Sequence, residues 1–94
     1  MKSFAFKKCR YFIGRLERGD DILAGLTDFC NQEDIEAGTI SAIGAVENGV
    51  VGYFDQAASE YHKLRFEQGM EIASLTGNIS IREGKVFLHC HLVL

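Results

Sequence analysis

Only one stretch of this sequence repeats its apolar residues at helical spacing; nearly everything else alternates or runs apolar in short blocks. Ile22, Leu23, Leu26, Phe29 and Cys30 form a single stripe, the pattern of a helix with one buried face. It predicts one main helix at about residues 20–33. Asp20 is placed to cap its N-terminus, and Asp21 to complement the positive end of the helix dipole. A lone helix among strands restricts the chain to an α+β domain, a helix packed on a mostly antiparallel sheet. The strand pattern gives about seven strands. Residues 2–17, with Phe4, Phe6, Tyr11, Phe12, Ile13 and Leu16, read as two strands with a turn near Lys7–Arg10. Thr39–Val46 and Val50–Phe54 flank Asn48-Gly49, a strong hairpin signal. Tyr61–Glu67 alternates, as does Glu71–Ile81. Arg82–Lys85 reads as a turn leading into a last, strongly apolar strand, Val86–Leu94.

At 94 residues the chain makes a single domain, 1–94, with a thin stability margin that assembly would widen. No apolar stretch approaches the roughly 18–20 residues of a membrane span, and the Lys- and Phe-bearing N-terminus lacks a signal peptide's pattern. Cys9, Cys30 and Cys90 are odd in number with no CxxC spacing, which argues against a disulfide framework and for a reducing, cytoplasmic setting. The net charge of −3 disfavours strong nucleic-acid binding, because affinity for phosphates comes largely from displaced counterions. The charge is unevenly spread, however. Lys2, Lys7, Lys8, Arg10, Arg15 and Arg18 fall within residues 1–18 against one acid, Glu17. Charged edges of a solvated strand pair are one reading; a phosphate-contacting patch at Lys7, Lys8 and Arg10 is the other.

His89 and His91 stand two apart on the last strand, so both imidazoles point to one face. Their Cα atoms lie about 6.5–7 Å apart, a spacing from which both rings can converge on one metal. Cys90 faces the opposite way and reads as core. Two ligands fall short of the three or four that zinc takes. His62, on an apolar strand face, reads as a core histidine. Glu71, at a strand start, is either an ion-paired carboxylate or a ligand or acid/base lining a pocket. Arg15 is either a structural ion-pair partner or an anion contact. The glycines form no phosphate-binding loop, and Gly44 and Gly52, within strands, suggest bulges or close backbone packing.

In order along the chain, Arg15-Leu16 with Gly19-Asp20-Asp21-Ile22, Ile40–Val46, Gly52-Tyr53-Phe54, Met70–Asn78 and His89-Cys90-His91 resemble the plants-and-prokaryotes conserved domain, PPC, shared with plant AT-hook nuclear proteins. The resemblance implies a homotrimer and a histidine-lined site able to hold a metal, zinc, in some prokaryotic members. It implies a third ligand from a Gly-Gly-His segment; the chain ends at Leu94 without it, so a C-terminally shortened domain is expected. DNA contact in plant members comes from a separate AT-hook, and no Arg-Gly-Arg-Pro element occurs here. The expected function is a non-enzymatic, self-associating protein that binds DNA or a partner, DNA only weakly for the domain alone. The alternative is a zinc-dependent enzyme or small-ligand-binding protein using His89 and His91, with Arg15 and Glu71 supporting the metal ligands or contacting the bound molecule.

Overall fold

The computed structural model describes residues 1–94. One helix, α1 (Ile22–Gln32), precedes five strands: β1 (Gly38–Val46), β2 (Gly49–Asp55), β3 (Glu60–Phe66), β4 (Met70–Arg82) and β5 (Lys85–Val93). They form two antiparallel sheets, a three-stranded one in the order β1-β4-β5 and a separate β2-β3 hairpin. The expectation of about seven strands in one sheet is therefore wrong. The two missing strands are those read in residues 2–17. Their alternating aromatics give the pattern of a strand, but a strand also needs ladder partners, and this segment joins neither sheet.

The helix forms where the stripe places it. Its cap is Asp21 rather than Asp20: the Ala24 backbone N–H donates to Asp21 Oδ2 at 2.9 Å. Asp20 is engaged one turn earlier, its carboxylate accepting from the Glu17 N–H at 2.9 Å. The C-terminus closes through Ile35 N–H to Cys30 C=O at 2.8 Å and Asp34 N–H to Asn31 C=O at 3.3 Å. Asp34 takes the left-handed conformation, φ 54°, so this is a Schellman closure with Asp where Gly is usual. The segment before the helix doubles back over it. Phe12 meets Phe29 edge-on at 5.1 Å, Leu16 packs against Gly25, and Arg10 donates to the Glu33 carbonyl at 2.7 Å, a cation at the negative end of the helix.

Asn48-Gly49 does not close a hairpin. β1 pairs with β4, and β2 with β3, so the short link turns a corner between two sheets. The hairpin signal is local, whereas pairing is decided by which apolar faces match at long range. The tight turn comes later, where Glu83 (φ 54°) and Gly84 (φ 77°) both adopt positive φ between β4 and β5, the geometry that two-residue hairpins favour.

The three-stranded sheet has two distinct faces. Ala42, Leu75 and Leu92 stand in one cross-strand row, and Ile40, Gly77 and Cys90 in the next. This apolar face meets the helix, which packs on β5. The only buried residues are Cys30, Ile72, Leu75 and Ile79. Ile72 joins Leu75 inside because the β1–β4 register slips between Ala42 and Gly44, which breaks the even alternation through Ala73. Gly44 sits at this bulge with φ 153°, as its placement within a strand suggested. The helix is too short and polar to cross a membrane.

The surface is large for the mass. At 10.5 kDa a compact monomer exposes about 5,400 Å²; this chain exposes 8360 Å². Its radius of gyration is 14.9 Å, against about 12 Å for a compact chain of this length. The β2-β3 hairpin accounts for part of the excess, since its principal contacts are internal. It leaves Tyr61 71% and Leu64 58% exposed.

Candidate functional site

The face of the sheet turned away from the helix is polar at its centre, between Phe87 and Val93 on β5. Across it run two rows set by strand register: Thr39, Asn78 and His89, then Ser41, Thr76 and His91. Side chains of directly paired residues share a face, so the two histidines stand beside hydroxyl and amide groups. Sequence reading missed these four neighbours. Their signal was present as alternating polar positions in β1 and β4, but only the pairing register connects them with the histidines.

The histidines themselves are where the sequence places them. Both are exposed, with Nε2 atoms 3.1 Å apart and ring centroids 5.2 Å apart. Without an ion, one Nε2–H donates to the other ring's lone pair. With an ion, the same separation subtends about 98° for bonds of about 2.05 Å, between octahedral and tetrahedral angles. The pair thus fits two adjacent positions of a zinc ion's coordination shell. No group of three histidine, cysteine or carboxylate side chains is gathered in the chain, so further protein ligands would come from outside it.

None of the other candidate residues is hydrogen-bonded or ion-paired to this pair. Glu71 is exposed near the start of β4, opposite Ala45. It is five residues from Thr76, which faces His91, so about 16 Å separates them along the strand. Arg15 is exposed in the segment before α1 and makes none of the ion pairs. Lys7, Lys8 and Arg10 are exposed in that segment too, but Arg10 is bound to the helix end and lies 3.9 Å from the Glu33 carboxylate. His62 belongs to the hairpin rather than the core. Its Nε2 lies 3.2 Å from Asp55 Oδ2 and 3.6 Å from Glu60 Oε1, and its ring is tilted on Tyr53 at 5.2 Å.

The cysteines are free. Burial, and then the neighbouring Cys90, pushes the Cys30 thiol up; burial pushes Cys90 up. Both are held as neutral thiols, which suits a core role on the apolar face and makes them poor nucleophiles.

The model of the Plants and Prokaryotes Conserved (PCC) domain matches residues 4–94. The chain belongs to the PCC domain family. The PCC fold is also seen in solved structures. The metal-containing protein AF0104 from Archaeoglobus fulgidus is 41% identical with a TM-score of 0.91, over 98% of this chain and 66% of its own. A plant- and prokaryote-conserved (PPC) protein from Pyrococcus horikoshii is 33% identical with a TM-score of 0.90, over 98% of this chain and 64% of its own. A "putative DNA binding protein" from Bacteroides thetaiotaomicron is 37% identical with a TM-score of 0.71, over 76% of this chain and 50% of its own. This PCC chain therefore spans just under two thirds of the length of its first two relatives. No curated protein matches it.

Proposed function

We propose that this PCC domain is a non-enzymatic module that self-associates, as a trimer, and associates with DNA through its basic N-terminal segment. The observation that carries self-association is the exposed surface of 8360 Å², roughly 3,000 Å² beyond a compact monomer of this mass. That excess is ample for the roughly 1,200–2,000 Å² of a standard stable interface. The DNA part is supported by two relatives that carry the description "putative DNA-binding protein" and by charge segregation. Residues 1–18 hold six of the ten Lys and Arg but one of the thirteen Asp and Glu. Assembly multiplies a weak contact, because each further arm binds at a raised effective concentration. The separation of Glu71 from the histidines along β4 favours a binding module over a catalyst. A cytoplasmic setting suits the three free thiols.

Light scattering tests the first part: the expected mass is three times the 10.5 kDa chain. A mass of one chain at about 100 µM refutes it, since stable interfaces of standard size persist well below that concentration. Anisotropy titrations of labelled DNA at about 50 and 200 mM salt test the second. Absence of binding to any DNA at the lower salt refutes it.

A second reading is favoured by the 3.1 Å separation of the histidine nitrogens. His89 and His91 would hold a zinc ion, with the remaining ligands from beyond this single chain, in a binding or enzymatic site. Metal analysis of purified protein, with His91→Ala as control, tests it. Stoichiometry near zero in the wild type refutes it.

A further inference from the structure

The segment before α1 carries aromatic rings as well as cations, and beyond Arg10, Phe12 and Arg18 the fold leaves several of each free. Phe4, Phe6 and Tyr11 are 88%, 70% and 91% exposed. Lys2, Lys7 and Lys8 are exposed and make none of the ion pairs. The segment is nonetheless moored to the body at Arg10, Phe12 and Leu16. It is thus an anchored arm with free rings interleaved among free cations.

We propose that this arm selects single-stranded over double-stranded DNA, its lysines tracking phosphates and Phe4, Phe6 and Tyr11 stacking on unpaired bases. The proposal rests on the DNA-association reading above and names the form of DNA. Charge complementarity points to a polyanion: residues 1–18 carry six basic residues against one acid, while residues 19–94 carry four against twelve. The aromatic rings choose among polyanions. A duplex buries the faces of its bases, so exposed rings gain nothing there, whereas an unpaired base offers a π-face to any of them. Phe4 and Phe6 are two residues apart, which on extended backbone separates them by about 6.6–7 Å. That gap is about twice the 3.4 Å stacking rise of a nucleic-acid strand, room for one base between two rings. An anionic membrane would also attract lysines and phenylalanines. It is less favoured because the arm is not the amphipathic helix that such binding uses.

The test is fluorescence anisotropy with a labelled oligo-dT of about 20 nucleotides and a duplex of equal length, at matched salt and protein concentration. Three proteins are compared: wild type, Phe4→Ala/Phe6→Ala/Tyr11→Ala, and Lys7→Ala/Lys8→Ala. All substituted side chains are exposed, and circular dichroism melts verify that the fold is kept. Wild type is expected to bind oligo-dT at least about tenfold more tightly than duplex. The aromatic variant is expected to lose at least about tenfold for oligo-dT and nothing for duplex. The lysine variant weakens both and flattens both salt slopes. Equal affinity for the two DNAs, or oligo-dT binding indifferent to the aromatic residues, overturns the proposal while leaving DNA association standing. No binding to either DNA removes both. Binding of anionic phosphatidylserine vesicles that needs the aromatic residues, with none to oligo-dT, assigns the arm to membranes and overturns it as well.

Discussion

Replacing Gly77 with alanine probes how closely β4 and β5 approach beneath the histidine strand. A Cβ at Gly77 would stand 2.6 Å from Cys90 Sγ, 2.9 Å from the His89 carbonyl oxygen and 3.4 Å from Cys90 Cα. The sulfur can rotate away, but the carbonyl moves only if β5 moves. Overpacking of this kind costs about 1–3 kcal/mol. Alanine returns about 0.4–1 kcal/mol by restricting the unfolded chain, so a net loss of about 1–2 kcal/mol is expected. At about 4–8 °C per kcal/mol for a domain of this size, the melting temperature should fall by roughly 5–15 °C. Circular dichroism melts at matched protein concentration measure it, since assembly makes the midpoint concentration-dependent. A cycle with Cys90→Ala separates the two contacts: removing the sulfur relieves one clash and leaves the carbonyl, so the double variant recovers only part of the loss. A Gly77→Ala melting temperature equal to or above wild type would refute the close approach of β5 at Gly77, because the methyl group would then be accommodated without strain.

Asp21→Ala removes the helix cap seen at Ala24 N–H and should cost about 1 kcal/mol; Asp20→Ala, which leaves that cap in place, should cost less in the same denaturant titration. Cys30 and Cys90 are both raised by burial, so iodoacetamide at pH 8 should label exposed Cys9 first, as peptide mapping can read. The same shifts fix a sign for stability: the folded state holds these protons longer than the unfolded state, so stability is flat below the ordinary thiol range and falls as pH rises above about 8.5. Urea midpoints from pH 7 to 10 check this, and a midpoint rising across that range contradicts it. If His89 and His91 share a zinc ion, His91→Ala should weaken zinc binding by at least about 100-fold in competition titrations, while Glu71→Gln, about 16 Å away along the strand, should leave it within about threefold.

Much of the fold could be read from periodicity. The apolar stripe from Ile22 to Cys30 became α1, and the alternation of Glu71–Ile81 became most of β4, because each pattern records which face is buried. The errors arose where a local pattern was asked to give pairing. Phe4, Phe6 and Tyr11 alternate like a strand but have no ladder to join, and Asn48-Gly49 resembles a hairpin turn while its flanking strands enter different sheets. The candidate site divides the same way. The His89–His91 pair follows from a two-residue repeat on one strand. Its polar surroundings, Thr39, Ser41, Thr76 and Asn78, depend on the registers of two strand pairs, and register is long-range information that a single sequence does not display.

The β2-β3 hairpin bears on the order in which the chain assembles. It lies wholly within the span between Val46 and Met70, the residues that pair at the near end of the β1–β4 ladder. Its own outer pair, Gly49 with Phe66, brings the two ends of that span together. Hairpins form in about 1–10 µs from contacts close in sequence. Once this one has zipped, the loop left to close before β1 meets β4 is about fourfold shorter, an entropic saving of about 1 kcal/mol. The element that contributes least to the packed body thus acts as the clasp that brings its longest-range strand pair into reach, and stopped-flow refolding with hairpin substitutions should find its contacts already formed in the transition state.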